Sequence, residues 1–255
     1  MFDLIDESGE DLKRMGYKVK EVGKSGICVA SLCVENNQKS KKLSLPKGQY
    51  FLINAPHFEG GTKESELLSR LVADRLKILF ENLGIDIKKK ILIVGLGNPE
   101  ILSDCLGKFV VDNIYFDPMK KENNVFKFCP NIFFSTGINT FDMVAILVKG
   151  LEIDSVIVID SLATHSLERL GKSFQMSSGG MTPGSGVNRL GKRISLESIG
   201  VPCISIGVPF MVYASAVGQG EEPLLLTPKD IHEDVKKIAM IIANAINKIL
   251  FWEGV

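Results

Sequence analysis

The sequence has little net charge and no long apolar run, and each absence excludes a class of protein. Thirty Lys and Arg residues balance thirty Asp and Glu residues, so no overall field would attract nucleic acid or an anionic membrane. No apolar run reaches the ~18 residues that a membrane span requires. The opening residues, Phe2 to Asp6, are acidic and contain no apolar segment typical of a secretory signal. We therefore expect a cytoplasmic protein with neither a membrane nor a direct nucleic-acid partner.

Motifs for metal ions and cofactors are missing as well. The five cysteines include no C-x-x-C pair, and the three histidines do not have the spacing of metal ligands. Gly95-x-Gly97 begins like a dinucleotide-binding loop but lacks the third glycine. Gly184-Ser185-Gly186 is only a fragment of the motif that carries a serine nucleophile. The sequence predicts no cofactor.

Short apolar segments alternate with amphipathic segments along the chain. Residues 91–95, 155–159 and 203–207 are continuous apolar runs, typical of strands buried on both faces of a parallel sheet. Helical spacing predicts helices over residues 62–83, 103–116, 140–149, 162–170 and 228–250. This alternation predicts a three-layer α/β sandwich with a mostly parallel central sheet, in a single domain over residues 1–255.

Two further strands are predicted nearer the N-terminus. They cover residues 27–34 and 49–54, and a segment rich in Lys, Asn and Ser joins them over residues 35–44. Such a segment between two apolar runs predicts a turn, and the two strands then form a hairpin-like pair at one edge of the sheet.

Two of the predicted parallel strands end close to an aspartate. Asp160 follows the run 155–159 directly, and Asp104 lies in the first turn of the helix predicted after residues 91–95, with Ser103 as its N-cap. The carboxyl ends of parallel strands share one sheet edge, where ligands and chemistry gather. Two carboxylates in one small site cannot both ionise freely, so they share a proton. Such a pair suits peptide hydrolysis, with one group activating water and the other protonating the leaving amine.

Other roles remain open for these residues. The same two carboxylates suit a divalent metal ion, and each aspartate also suits a simple helix or turn cap. His165, five residues after Asp160, is placed in the same pocket as a base or a third metal ligand. Asp142 is a candidate partner of the pair, or else a carboxylate in the first turn of a helix.

Five motifs occur in a fixed order in the chain. They are VGLGN at 94–98 with Asp104 and Gly107, STGINTFD at 135–142, VIVIDSLATHSLERL at 156–170, GMTPGSGV at 180–187 and LESIGVPCISIGVP at 196–209. The series, over roughly residues 91–216, resembles the germination protease family of spore-forming bacteria. The C-terminal segment from Thr227 resembles that family's last helix.

The resemblance implies an aspartic-type endopeptidase that degrades small acid-soluble spore proteins in the spore core during germination. It implies a homotetramer, made as a zymogen whose processing point corresponds to the region of Phe2–Leu4. The implied fold is similar to that of nickel–iron hydrogenase maturation proteases, a phosphorylase/hydrolase-like architecture. The two functional aspartates of the family correspond to Asp104 and Asp160, the same residues that the strand ends indicate.

Two loops are expected to shape the substrate groove. One contains Gly95, Gly97 and Asn98, and the other contains Gly184, Ser185 and Gly186. An extended peptide pairs with exposed backbone in many recognition sites, so we expect strand addition at these loops.

Two alternative functions stay open. A metal-dependent maturation-type protease would use Asp104, Asp160 and His165, because the corresponding acidic positions bind metal in the hydrogenase relatives. A catalytically degenerate relative would bind spore protein without cutting it. Ser178 and Thr182 favour the second alternative, since they replace a charged residue and a histidine of the family motif.

Overall fold

A nine-stranded mixed sheet forms the centre of the protein. The computed structural model describes residues 13, 16–23, 25–119, 123–184, 191–218 and 224–252. The strands are β1 Lys18–Val22, β2 Ile27–Val34, β3 Gly48–Asn54, β4 Ile91–Gly95, β5 Val125–Phe128, β6 Ser155–Thr164, β7 Ser173–Ser177, β8 Cys203–Tyr213 and β9 Leu225–Leu226. The helices are α1 Asn37–Leu43, α2 Thr62–Leu83, α3 Leu106–Asp112, α4 Phe133–Thr136, α5 Thr140–Gly150, α6 Leu196–Ile199 and α7 Ile231–Asn247.

The strand order is β1-β2-β3-β7-β8-β6-β4-β5, and β9 pairs with β8. Parallel pairing joins β8, β6, β4 and β5 in three pairs. The other five pairs are antiparallel. The predicted α/β class and large central sheet are confirmed, but the sheet is mixed rather than mostly parallel. The difference arises because β7 and the three N-terminal strands β1, β2 and β3 add four antiparallel strands along one side.

Helices cover both faces of the parallel strands. In β4, Ile91 and Ile93 face a core built with α2, α3 and α7, whereas Leu92 and Val94 face a second core built with α5. Successive side chains of a strand point to opposite faces, so this division shows that both faces are buried. The arrangement is the predicted three-layer sandwich.

Two predicted elements match the structure closely. Helix α2 has the predicted bounds and ends at Gly84, whose φ of 63° is left-handed. Its N-cap is Gly61, so Thr62 is the first helical residue rather than the cap. Strand β4 also has the predicted bounds.

The helix predicted over 103–116 is shorter and begins later. Leu102–Asp104 form a 3-10 turn, and α3 starts only at Leu106. Ser103 therefore lies inside the 3-10 turn and is not an N-cap. The prediction was wrong because backbone packing against the β4 loop, which helical spacing does not contain, sets where the helix begins.

The helix predicted over 162–170 is also wrong. Strand β6 continues to Thr164, which pairs with Val212 of β8, and only Leu167–Arg169 form a 3-10 turn. Pairing with the long neighbouring strand overrides the local helical spacing.

Two connections differ from their predictions. The predicted turn over 35–44 contains α1, whose cap residue Asn36 accepts a hydrogen bond from the Lys39 N–H at 2.8 Å. The last helix begins at Ile231 instead of 228, because the Thr227 hydroxyl donates to the Phe210 carbonyl at 3.1 Å instead of capping the helix. None of the described helices is both long and apolar enough to cross a lipid bilayer.

Candidate active site

Asp160 lies in the most deeply buried strand of the sheet. Every residue of β6 is buried, and Asp160 is 6% exposed. It pairs with Gly207 of β8, and its side chain shares a face with Val158 and Leu162. A Cβ on Gly207 would lie 2.7 Å from the Leu162 side chain, so glycine leaves room for that side chain beside the carboxylate.

Asp104 reaches the same place from the neighbouring strand. It ends the 3-10 turn that follows the β4 loop, and its Oδ2 accepts a hydrogen bond from the Asn98 N–H at 2.7 Å. The Leu106 N–H donates to the Ser161 hydroxyl at 3.4 Å, which ties the start of α3 to the residue after Asp160. The two aspartates are therefore positioned by adjacent parallel strands: Asp104 follows the end of β4, whereas Asp160 lies within β6, which continues to Thr164 instead of ending at residue 159 as predicted.

Three glycines allow the backbone to fold this closely around Asp104. A Cβ on Gly97, whose φ is 107°, would collide with the Asp104 carbonyl oxygen. A Cβ on Gly95 would collide with the Gly107 carbonyl, and one on Gly107 with the Leu96 backbone. Gly95 and Gly97 therefore hold the aspartate, a role distinct from the groove-shaping one expected of them.

Burial determines the protonation of the pair. It raises the pKa of Asp104 to about 6, although the Asn98 N–H partly offsets the effect. Burial, together with the negative charge of Asp104, raises the pKa of Asp160 to about 8, and the Ser161 N–H partly offsets this. Near neutral pH the two carboxyl groups therefore hold one proton between them, with Asp160 as its main carrier.

His165 is not brought to the aspartate pair. Because β6 continues past Asp160, five residues of extended chain separate the two by about 16 Å. The His165 ring stacks on Tyr213, with centroids 4.4 Å apart and planes 16° from parallel. Among the described residues, no three His, Cys, Asp or Glu side chains form a group that could hold a metal ion.

The remaining predicted residues lie elsewhere. Asp142 is exposed in the first turn of α5, as its alternative role requires. Gly184 is half-buried, in the loop that leaves the sheet after β7, while Ser185 and Gly186 fall outside the described residues. That loop begins after Ser177 of β7, which pairs with Ser205 of β8. Asp160 pairs with Gly207, two residues further along β8.

Sequence analysis missed two residues that build the site. Ser161 accepts the hydrogen bond from the start of α3, and Gly207 lies opposite Asp160. The signal for Ser161 was its place directly after Asp160. The signal for Gly207 was a single glycine within an apolar strand run, which indicates close approach of another group.

Comparison with known families decides the relationship. A family model described as germination protease matches residues 5–221, most of the chain. The chain belongs to the germination protease family. The predicted resemblance is confirmed, and with it the prediction of a hydrolase, a protease of spore germination.

Individual relatives agree with this family membership. The germination protease of Caldanaerobacter subterraneus subsp. tengcongensis is 34% identical over 92% of this chain and 75% of its own length. That of Clostridium perfringens strain SM101 is 31% identical over 87% of this chain and 71% of its own. The Priestia megaterium germination protease is 31% identical over 79% of this chain, which spans 57% of that relative.

Among solved structures, the protein is similar to a NiFe hydrogenase maturation protease from Thermococcus kodakarensis KOD1. The sequence identity is 20% and the TM-score is 0.40, over 64% of this chain and 92% of the other.

Proposed function

We propose that this germination protease is an endopeptidase that cuts small acid-soluble spore proteins with Asp104 and Asp160. The observation that carries the proposal is the buried pair itself. Each carboxyl group has a raised pKa, about 6 for Asp104 and about 8 for Asp160, so one is ionised and the other protonated near neutral pH. A base and an acid in one small site are what hydrolysis of a peptide bond needs.

We assign the roles by burial: Asp160 is buried and holds the proton, whereas Asp104 is half-buried and acts as the base. The Asp104 carboxylate removes a proton from water as the water oxygen attacks the peptide carbonyl carbon. The protonated Asp160 then donates its proton to the amide nitrogen as the C–N bond breaks. Transfer of the proton from Asp104 to Asp160 restores the starting state. Protons balance over the cycle, since water supplies one to each product.

Large apolar side chains are exposed close to Asp104 in the sequence. Ile101 and Leu102, which come just before Asp104, are 49% and 46% exposed despite their size. Exposed apolar side chains at the rim of a site favour contact with the apolar side chains of an extended polypeptide. We assign Asn98, Gly184, Ser185 and Gly186 to the same substrate groove by their family motifs.

The family resemblance also supports a homotetramer, a zymogen precursor and a location in the spore core. Exposed apolar side chains beyond the far end of α3 supply a surface for contact between subunits, namely Tyr115, Phe116 and Met119. The processing region at Phe2–Leu4 lies outside the described residues.

Digestion of a purified small acid-soluble spore protein tests the proposal. We expect cleavage by the wild type with and without chelator, and a loss of about 10³-fold or more in Asp104→Asn and Asp160→Asn. Asp142→Asn is the matched control, since it neutralises an exposed aspartate outside the pair.

Three outcomes would contradict the proposal. Cleavage abolished by chelator would favour the metal-dependent alternative. Cleavage retained in Asp104→Asn or Asp160→Asn would show that the substituted aspartate is not catalytic. Spore-protein binding without cleavage at any pH, equal in wild type and Asp160→Asn, would favour the degenerate relative.

A further inference from the structure

Cys105 occupies an unusual place directly after Asp104. It is 3% exposed, and its Sγ lies 3.1 Å from the Ile101 carbonyl oxygen and 3.2 Å from that of Pro99. The Asn98 carbonyl oxygen is 3.6 Å away. A buried thiol that faces three carbonyl oxygens acts as a hydrogen-bond donor toward them.

These carbonyls belong to the segment that positions Asp104. The Ile101 N–H donates to the Asn98 carbonyl at 3.1 Å, and the Asp104 N–H donates to the Ile101 carbonyl at 2.8 Å. Pro99 has no N–H to add to this network. The thiol therefore lies where two successive turns bring their carbonyl oxygens together.

The same segment also carries the group that binds the carboxylate. Asn98 begins it, and its N–H donates to Asp104 Oδ2 at 2.7 Å. If the turn opened, that N–H would move away from the carboxyl group. The bond from Asn98 to Asp104 thus depends on the closed turn.

We propose that Cys105 is a positioning residue for Asp104, whose thiol donates to the Pro99 and Ile101 carbonyls and so holds the Asn98 N–H on the carboxylate. Burial and the charge of Asp104 raise the pKa of the thiol, which keeps it protonated and able to donate. The inference rests on the proposed function for its effect on cleavage, but its effect on Asp104 itself is independent of any reaction.

The charge state of Asp104 reports on this role. The Asn98 N–H lowers the pKa of Asp104, so loss of that bond raises it further. The other titratable groups in this network are Asp160 from β6, which interacts with Asp104, and Lys108 from α3, whose charge acts on the thiol. Neither group is changed by substitution of Cys105.

The experiment compares Cys105→Ala, which removes the donor, with Cys105→Ser, which keeps one. Carboxyl carbon NMR of protein labelled at aspartate gives the pKa of Asp104, assigned by the signal missing in Asp104→Asn. We expect the pKa to rise by about one unit in Cys105→Ala and to return most of the way in Cys105→Ser. Cleavage should fall about fivefold in kcat at pH 6 in Cys105→Ala, with little change in KM, and the loss should shrink at pH 8.

Cys203→Ala is the control for loss of a buried thiol, because Cys203 is 0% exposed and its thiol donates to Ile194 in the second core. An unchanged Asp104 pKa in Cys105→Ala, an equal shift in Cys203→Ala, or no recovery in Cys105→Ser would overturn the inference. A shifted and rescued pKa in a protein that cuts no spore protein would instead support the inference and contradict the proposed function.

Discussion

The parallel strands that carry the candidate site and the antiparallel strand β1 at the edge of the sheet give polar side chains different environments. In the parallel half, β4 and β6 are buried at every position; Asp104 follows the end of β4, and Asp160 lies within β6, which continues to Thr164. In the antiparallel half, the edge strand β1 exposes Lys18 and Lys20 to water. Burial raises the pKa of a carboxyl group only where water is excluded. In the proposed function, the parallel half supplies the catalytic carboxyl groups, and the antiparallel half extends the sheet that supports them.

The backbone shows the same contrast at two glycines. Both Gly97 and Gly84 have a positive φ, 107° and 63°, but only Gly97 lies against other backbone. We expect Gly97→Ala to abolish cleavage and to cost roughly 3 kcal/mol or more, because its Cβ would collide with the Asp104 carbonyl.

Gly84→Ala is the matched control, since nothing lies within 4 Å of the position its Cβ would take. It should cost about 1 kcal/mol from left-handed strain and leave cleavage unchanged. Urea unfolding and the digestion assay measure both effects. Equal losses in the two variants would show that close packing at Asp104 plays no special part.

Core truncation sharpens the comparison between the halves. Ile93→Ala in β4 removes a side chain that is 0% exposed, so the free energy of unfolding should fall by about 2–5 kcal/mol. Val19→Ala in β1 removes a partly buried side chain at the edge, and it should cost about 1 kcal/mol or less. Unfolding in urea measures both free energies. A larger loss of stability in Val19→Ala than in Ile93→Ala would contradict the view that the parallel half contributes more to stability.

The pH dependence of stability gives a smaller effect with a defined sign. The pKa of Asp160 is about 8 in the folded protein against 3.8 as its ordinary value. A raised pKa means that the stability present below about pH 4 is lost as the pH rises toward 8. Asp160→Asn lacks this charge, so its melting temperature should exceed that of the wild type more at pH 8 than at pH 4. A difference equal at both pH values would contradict the raised pKa.

Local sequence patterns predicted the elements whose structure depends mainly on residues near one another in the chain. The run at 155–159 indicated Asp160, although β6 continues past it to Thr164. The strand at 91–95 and the helix at 62–83 follow from an apolar run and from helical spacing. The position of Asp104 in a 3-10 turn does not, because it depends on Gly95 and Gly107 packing backbone to backbone.

The error at His165 has the same kind of origin. Along a helix, five residues advance the chain by only about 7.5 Å, so the helix predicted nearby kept His165 within reach of the same pocket. The long strand β8 instead pairs with β6 as far as Thr164, so the chain stays extended up to that residue. Pairing between residues roughly fifty positions apart leaves no trace in local spacing.

The pH profile of kcat/KM for cleavage of a spore protein tests the central claim most directly, namely that one carboxyl group of the pair is ionised while the other is protonated. With Asp104 as base and Asp160 as acid, the profile should be bell-shaped, rising with a pKa of about 6 and falling with a pKa of about 8. In Cys33→Ala, which changes an exposed thiol on β2, both limbs should stay in place. A rate that rises through pH 8 without a falling limb would contradict the account, because it would show that no protonated carboxyl group is needed.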